Sequence, residues 1–296
     1  MSTEDLLASW TGPSSTSEQE KQERTERMIR DAVRAHPAFD GVSLRTFAKG
    51  SYPNNTNVRA DSDVDVAVEC NEVVYWEEST PGAGGAATSG SRYEGPWTPA
   101  KLRTEVAGAL RARFGDQVDA SGTTAIRVRS SSARVEADVV PCFPYEYHLP
   151  GETRRGTRIF RKNGDAIENY PDQHLERGRT KNTGTTSRFK KTVRILKRVE
   201  NAMVEQQVHR VVPSFLVESL VYNCPNTLLR RTTWTGTVGA VVAHIWESHQ
   251  GDVEPAEPDR WLEVNECKYL HFAAQPWSRR DAREFAFAAW NFLELG

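Results

Sequence analysis

The chain has few cysteines, and none is placed for a metal or redox site. Only four occur among 296 residues, they lie far apart, and no CxxC pair is present. The seven histidines show no spacing to a cysteine that is typical of a zinc site. The sequence therefore predicts free thiols, a reducing compartment and no structural zinc.

Long apolar runs and an excess of basic charge are also missing. Mean hydropathy is −0.61, and no apolar stretch is long enough to cross a bilayer. The first residues, MSTEDLLASW, lack the basic start and apolar core of a signal peptide. The formal net charge of −2 argues against a chain devoted to nucleic-acid binding. We therefore expect a cytoplasmic protein with no membrane partner and no stable nucleic-acid partner.

The sequence does contain a pair of aspartates in a strand-like pattern. Residues 50–65 read GSYPNNTNVRADSDVD, and valines at 64, 66 and 68 alternate with polar or small residues. On a strand, Asp63 and Asp65 would project from one face and the valines from the other. Two neighbouring carboxylates repel each other unless a divalent cation lies between them. The pattern therefore predicts a metal site.

Two further signals accompany the aspartate pair: a phosphate-binding turn before it and a third carboxylate on a later strand. Gly50 lets the backbone approach a phosphate, and the Ser51 hydroxyl can donate to it. Residues 134–140 read as a later strand, and Asp138 lies within it, just before Pro141. A third acidic residue on a strand suits a metal that also binds substrate phosphates, as Mg²⁺ does.

Secondary-structure signals divide the chain into two parts. We expect an α/β part over residues 17–164, with a Gly-rich insertion at about 79–97, and a mainly helical part over residues 165–296. Residues 1–16 read as frayed and residues 143–182 as irregular. The expected elements of the first part are a helix over 17–35 capped by Ser17 and Glu20, strands over 42–48, 64–68, 124–129 and 134–140, and a helix over 98–114.

The clearest helix covers residues 187–203 and combines an apolar stripe with a basic row. The predicted buried stripe consists of Phe189, Val193, Leu196 and Met203. The basic row beside it consists of Lys190, Arg194 and Lys197. Because the row borders the buried face, it favours anion binding over a merely solvated surface. A further helix opens at Pro213, and its first residues, including Ser214, suit a phosphate.

These features resemble the nucleotidyltransferase superfamily of DNA polymerase beta-like enzymes. The resemblance is closer to the bacterial cGAS/DncV-like nucleotidyltransferases of anti-phage signalling, and within them to the CdnE-type clade. It is carried by ENYPDQHLERGRTKN at 168–182, RFKKTVRILKRVE at 188–200 and PSFLVE at 213–218, in addition to the aspartate strands. The resemblance covers roughly residues 40–225.

The resemblance implies a mixed α/β fold: a polymerase beta-like core sheet packed against a C-terminal helical lobe, with the active site in the cleft between them. Asp63, Asp65 and Asp138 would be catalytic and would hold two Mg²⁺ ions, with Mn²⁺ as a substitute. The nucleotide-binding residues implied by the family pattern are Gly50, Ser51, Asn169, Lys197 and Ser214. Among these, Asn169 matches the position that is associated in this clade with accepting a pyrimidine base.

The implied activity is synthesis of a cyclic dinucleotide from UTP with ATP or a second UTP, with release of pyrophosphate. The product would act on a downstream effector in anti-phage defence. One alternative is a template-independent transferase that adds nucleotides to RNA, protein or a small molecule. Another is an inactive nucleic-acid-binding or regulatory module. The complete set of three aspartates and the near-neutral net charge disfavour the second alternative.

Overall fold

The chain forms two compact units. The computed structural model describes residues 1–58, 63–79, 86–91 and 93–295. The sheet unit consists of Ser15–Pro53 and Arg59–Pro171, and the helical unit consists of Met1–Ser14, Asn54–Val58 and Asp172–Gly296. The stretch 50–65 is therefore shared: its middle belongs to the helical unit and its two ends belong to the sheet unit. Ser62, which precedes Asp63, lies outside the described residues.

In the described part of the sheet unit, nine strands hydrogen-bond into one sheet. The strands are β1 (Leu44–Lys49), β2 (Val64–Cys70), β3 (Tyr75–Ser79), β4 (Ala86–Ser91), β5 (Val118–Asp119), β6 (Ile126–Val128), β7 (Ala137–Leu149), β8 (Glu152–Phe160) and β9 (Ala166–Asn169).

Strand β7 is the centre of the sheet because it is long enough to pair with four other strands. Its first residues run parallel to β2 and antiparallel to β6. Its later residues run parallel to β3 and antiparallel to β8. The outer strands β1, β4, β5 and β9 pair antiparallel with β2, β3, β6 and β8, respectively. The strand that carries Asp138 is thus held on both sides.

The two faces of β2 differ as its alternating pattern predicts. The fully buried side chains are Val64, Val66 and Val68. They lie in an apolar core with residues of helices α2 (Thr16–Arg34) and α3 (Pro99–Phe114). Burial of each valine contributes about 1.5–3 kcal/mol. A one-residue slip of the strand would remove the valines from this core and turn Asp65 into it, so the core fixes which face carries the carboxylates.

In the described part of the sheet unit, helices α2 and α3 each begin at a side-chain cap; one cap was predicted correctly and the other was not. Thr98 caps α3, as predicted. Helix α2 begins two residues earlier than predicted, because Ser15 and Glu18 form its capping box. The predicted pairing of Ser17 with Glu20 is wrong. Both pairs have the same spacing, but only Ser15 has the extended backbone of an N-cap, with φ −61° and ψ 157°.

The prediction of irregular structure over residues 143–182 is wrong. Strand β7 continues to Leu149, a hairpin leads to β8, β9 follows, and helix α4 (Pro171–Gly184) completes the segment. The hairpin turns at Pro150-Gly151, and Gly151 has φ 79°, which matches the second central residue of a type II turn. Charged residues along β8 hide the strand period in the sequence.

The Gly-rich insertion predicted at residues 79–97 lies partly outside the described residues, at 80–85 and 92. On either side of residues 80–85, the described residues pair as strands β3 and β4, with Tyr75 opposite Ser91. The segment therefore contributes a strand to the sheet, which its composition did not indicate.

The helical unit is built around one apolar core. Its helices are α1 (Thr3–Ser9), α4, α5 (Arg188–Glu205), α6 (Ser214–Asn223), α7 (Asn226–Leu229), α8 (Trp234–Ser248) and α9 (Arg279–Phe292). The predicted stripe of α5 is confirmed, since Phe189, Val193, Leu196 and Met203 are fully buried. None of the helices in the described ranges is both long and apolar enough to span a membrane. All four cysteines are free thiols, as predicted.

The prediction that residues 1–16 are frayed is wrong. Ser2 caps α1 through a capping box, and Leu7 is fully buried in the helical core. The carboxylate of Glu4 accepts hydrogen bonds from the backbone amides of Trp234 and Thr235 at 2.8 and 2.7 Å. These amides belong to the first turn of α8, which has no other helical partner for them. Contacts with distant residues thus order the N-terminal segment.

A buried histidine pair lies at the end of α8. His249 Nδ1 is 2.7 Å from the Ile245 carbonyl oxygen, so this nitrogen carries the proton. His249 Nε2 is therefore the acceptor in its 3.0 Å contact with His271 Nε2. Burial lowers the pKa of His249 to about 4 and that of His271 to about 3. Protonation of His249 would place two N–H groups face to face and break the pair.

We expect this pair to make stability fall as the pH is lowered from about 6.5 to about 4. The unfolded chain takes up protons near pH 6.5, whereas the folded chain keeps both imidazoles neutral until a lower pH. The free energy of unfolding should decrease by about 2 kcal/mol or more between pH 6.5 and pH 5. Urea unfolding at the two pH values measures this loss. His271→Gln keeps a donor to His249 without titrating, so its loss should be smaller; an equal loss would contradict the prediction.

Candidate active site

Two of the predicted aspartates stand side by side on neighbouring strands. Strands β2 and β7 run parallel, and Asp65 lies directly opposite Asp138 in their register. Such partners are about 4.8 Å apart and point to the same face of the sheet. Asp63 immediately precedes β2 and, being two residues from Asp65, projects to the same side. The topology therefore brings the three predicted carboxylates together.

The closeness of these carboxylates is visible in their proton affinities. Loss of surrounding water, together with the charges of Glu136 and Asp138, raises the pKa of Asp63. Burial also raises the pKa of Asp65; Lys49 opposes this rise and Asp138 adds to it. Each carboxylate would be charged more readily if a cation lay beside it. The site is thus built at an electrostatic cost that a bound cation would offset.

Basic side chains already engage two of the aspartates. Lys49 Nζ lies 3.8 Å from Asp65 Oδ1, and Arg127 Nε lies 3.5 Å from Asp138 Oδ1. Arg127 Nε is also 3.2 Å from Glu136 Oε1. Among the described residues, no three His, Cys, Asp or Glu side chains are arranged to hold a metal ion as they stand.

The donor set nevertheless suits a hard divalent cation. The predicted ligands, Asp63, Asp65 and Asp138, are all carboxylates, which Mg²⁺ prefers. The Oδ1 atom of Asp138 is buried and makes no hydrogen bond of ordinary geometry, and its contact with Arg127 Nε is long, at 3.5 Å. A buried, unsatisfied carboxylate oxygen is costly unless a ligand completes it. These residues stay the candidate metal ligands.

Gly50 sets how closely the Gly-Ser turn approaches the aspartates. It follows β1 directly and has φ 74°, a conformation that residues with a side chain rarely adopt. A Cβ atom at this position would lie 2.6 Å from Asp65 Oδ2. Only glycine combines this positive φ with the absence of a Cβ atom that would clash with Asp65. Ser51 follows in the same turn and is half-buried, so the predicted phosphate-binding turn adjoins a candidate metal ligand.

Lys197 lies in the helical unit, and its ammonium group is buried in a polar network. Its Nζ atom is 3.0 Å from Glu218 Oε2 and 3.3 Å from Thr56 Oγ1, with 4 % of the side chain exposed. Glu218 also accepts hydrogen bonds from Thr56 Oγ1 at 2.7 Å and from His174 Nε2 at 2.9 Å. Burial alone would raise the pKa of Glu218, but Lys197 and His174 outweigh it and hold the pKa well below its usual value. The outer-phosphate role of Lys197 stays a prediction.

The other predicted basic and phosphate-binding residues of the helical unit differ in their surroundings. Arg194 is buried and donates to two backbone carbonyls of the unit, at 2.8 and 2.6 Å. Burial lowers its pKa to about 10, so it remains charged at neutral pH. Lys190 is half-buried, and burial lowers its pKa as well. Ser214 is exposed at the first position of α6, after a proline that offers no capping side chain. The first amides of α6 thus suit an anion.

Asn169 is the last residue of β9 and is half-buried. It lies opposite Thr157 of β8. The neighbouring Gly156 allows this approach, since a Cβ atom there would lie 2.4 Å from the Asn169 carbonyl oxygen and 2.8 Å from the Tyr170 ring. The position of Asn169 therefore depends on the absence of a side chain at Gly156.

Several residues that contact the candidate site residues escaped the sequence analysis. They are Lys49, Arg127, Gly156 and Glu218. Glu218 had a usable signal, because an acidic residue within the apolar run LVESLV requires a buried partner. Arg127 had none, because its placement depends on the register of β6 against β7.

Comparison with known proteins identifies the family. Residues 176–294 match the cGAS/DncV-like nucleotidyltransferase C-terminal helical domain. The chain is 34 % identical to the cyclic dipyrimidine nucleotide synthase CdnE of Cecembia lonarensis, with 99 % of each chain covered. It is 32 % identical to a synthase of the same name from Legionella pneumophila, with 98 % of each covered. The chain belongs to the CdnE group of cGAS/DncV-like nucleotidyltransferases.

The CdnE assignment agrees with the fold. The structure of the Elizabethkingia meningoseptica CdnE cyclic dinucleotide synthase with GTP and Apcpp matches with a TM-score of 0.81 at 30 % identity, covering 98 % of both chains. The predicted mixed α/β nucleotidyltransferase fold is confirmed. As a CdnE homologue the chain is an enzyme, a nucleotidyltransferase of the cyclic nucleotide synthase type.

Proposed function

We propose that this CdnE enzyme joins UTP with ATP or a second UTP into a cyclic dinucleotide and releases pyrophosphate. The observation that carries the proposal is the placement of Asp65 opposite Asp138, with Asp63 on the same face and Gly50 against Asp65. Two relatives named as cyclic dipyrimidine nucleotide synthases support a pyrimidine substrate, for which we propose uridine. The product would act in the cytoplasm as a second messenger of anti-phage defence and would bind a downstream effector.

In this mechanism the three aspartates would hold two Mg²⁺ ions, or Mn²⁺ in their place. When bound, these ions would neutralise the triphosphate and lower the pKa of the acceptor ribose hydroxyl. Gly50 and Ser51 would bind the donor triphosphate, and Ser214 would bind its outer phosphates through the first turn of α6. The acceptor oxygen would bond to the α-phosphorus as the bond to pyrophosphate breaks, and Asp138, besides holding the metal, would help to take the hydroxyl proton. A second transfer closes the ring.

Product analysis tests the proposal. Purified enzyme is incubated with all four NTPs and Mg²⁺ or Mn²⁺, the mixture is treated with phosphatase and nuclease, and the products are identified by mass spectrometry. We expect a phosphatase-resistant product that contains uridine. Absence of any resistant product, under conditions in which the Elizabethkingia enzyme works, would count against cyclisation. Turnover only with an added RNA, protein or small-molecule acceptor would favour a transferase.

Asn169 should influence which base is used. Replacing Asn169 with serine shortens the side chain and removes an amide that would hydrogen-bond a pyrimidine. One such bond corresponds to about 0.5–1.5 kcal/mol, or roughly three- to tenfold in base preference, so the product should shift toward purines. The purine-to-pyrimidine ratio in competition with all four NTPs measures the shift. Asn163→Ser, in the exposed turn between β8 and β9, is the control. An unchanged ratio in Asn169→Ser would refute the assignment.

A further inference from the structure

Arg127 approaches the candidate metal ligands from the strand on the far side of β7. In the antiparallel register of β6 and β7, Arg127 lies directly opposite Asp138. Asp138 therefore has Asp65 of β2 on one side and the guanidinium of Arg127 of β6 on the other. Arg127 Nε lies 3.5 Å from Asp138 Oδ1 and 3.2 Å from Glu136 Oε1.

The ion pair between Arg127 and Asp138 can be replaced by a contact between Asp138 and a cation. The Arg127 side chain is 54 % exposed and that of Asp138 is 28 % exposed, so water competes for the guanidinium and for the exposed part of the carboxylate, although Asp138 Oδ1 itself is buried. Moreover, Asp138 Oδ1 makes no hydrogen bond of ordinary geometry despite the nearby guanidinium. The buried pair of Lys197 and Glu218 is different, since those side chains are 4 % and 2 % exposed. Arg127 can turn toward solvent, and it retains Glu136 as a second partner.

We propose that Arg127 competes with the divalent cation for Asp138 and thereby sets the metal affinity of the site. A cation bound by the three aspartates places two positive charges near the guanidinium, and the resulting repulsion displaces Arg127 from Asp138. Arg127 is a positioning residue in this role: it holds the carboxylate before the cation arrives. The inference rests on the proposed function, because it takes Asp63, Asp65 and Asp138 as the metal ligands.

Calorimetric titration of the purified full chain with MnCl₂ tests the inference without reference to activity. We expect Arg127→Gln to bind Mn²⁺ roughly tenfold more tightly than the unmodified chain, because a repelling charge is removed. Arg129→Gln is the matched control. Arg129 is exposed two residues further along, and its charge acts on Asp119. Its Mn²⁺ affinity should stay within about twofold. Arg127→Lys keeps the positive charge and should also stay near the unmodified value.

Several outcomes would overturn the inference. If Arg127→Gln binds Mn²⁺ no more tightly than Arg129→Gln, or if Arg127→Lys matches the gain of Arg127→Gln, charge competition is not the cause. Loss of the folded circular dichroism spectrum in Arg127→Gln would assign Arg127 to strand pairing instead. Asp65→Asn distinguishes failure of this inference from failure of the proposed function. If this variant binds Mn²⁺ as tightly as the unmodified chain, the assignment of the aspartates as metal ligands fails as well.

Discussion

Replacing Asp65 with asparagine should reduce product formation by roughly a thousandfold or more. Asparagine has nearly the same shape but lacks the charge that would hold a divalent cation, and such a cation supplies several kcal/mol of transition-state stabilisation. The register of β2 against β7 would still place residue 65 opposite Asp138, so only the chemistry of the site changes. Initial rates of pyrophosphate release measure the loss. Asp116→Asn, an exposed change in the same unit, should retain activity.

The same replacement should leave stability unchanged or increase it. The pKa of Asp65 is raised in the folded protein, so its charged form costs stability at neutral pH, and the cost disappears as the pH falls below that pKa. A neutral amide removes the cost at every pH. Lys49 loses an ion-pair partner, but the contact at 3.8 Å is partly exposed and contributes little. A clear drop in melting temperature for Asp65→Asn would show that the carboxylate is structural, contrary to this prediction.

The strand that carries Asp65, and two helices of the fold, could be predicted from the sequence because their signals are local. The alternation of valine and aspartate in β2 fixes both the strand and its two faces, and neither depends on distant residues. The proline after Thr98 marks the start of α3 in the same way. Helical spacing identifies the buried stripe of α5 without knowledge of what packs against it. Each of these predictions rests on a pattern within about 20 residues.

The errors arose where distant residues decide the structure. Helix α1 is ordered because Glu4 completes the first turn of α8 and Leu7 enters the helical core. Neither contact can be inferred from a short polar segment. Likewise, β8 is a strand because β7 and β9 pair with it, although its exposed arginines obscure the pattern. The partner of Asp138 on β6 depends on strand register, which the sequence does not specify.

Lys197 shows where the interpretation of a helix face from spacing alone is wrong: the basic row was predicted at the edge of the buried face, but Arg194 and Lys197 are buried. Helical spacing placed Lys197 at the edge of the buried stripe of α5, and the structure places its side chain inside, with 4 % exposed. Glu218, its partner, belongs to α6 and accepts hydrogen bonds from Thr56 and His174 as well. The same lysine therefore has a structural task within the helical unit. A direct experiment can separate this task from phosphate binding.

Replacing Lys197 with methionine should cost about 3–5 kcal/mol of unfolding free energy, because it leaves the charge of Glu218 buried without its cation. Glu218→Gln should cost a similar amount by leaving Lys197 unpaired. In the double variant no buried charge is left alone. The amide oxygen at position 218 can still accept the hydrogen bond from His174, and the amide NH2 can donate to Thr56 Oγ1, which Lys197 no longer occupies, so much of the loss should be recovered. Urea unfolding measures all three. Lys191→Met, a partly exposed change in the same helix, is the control. A cost below about 1 kcal/mol for Lys197→Met would mean that the ion pair does not support the fold.

The double variant then decides between the two roles of Lys197, because it restores folding without restoring the ammonium group. If Lys197 also binds the outer phosphates of the nucleotide, the KM for NTP will stay raised in the stable double variant. If its task is confined to Glu218, the KM will return close to that of the unmodified chain. In that case Ser214 and the first amides of α6 carry the outer-phosphate role, and Ser214→Ala should raise the KM while leaving the unfolding free energy nearly unchanged, since Ser214 is exposed and is not the N-cap of its helix.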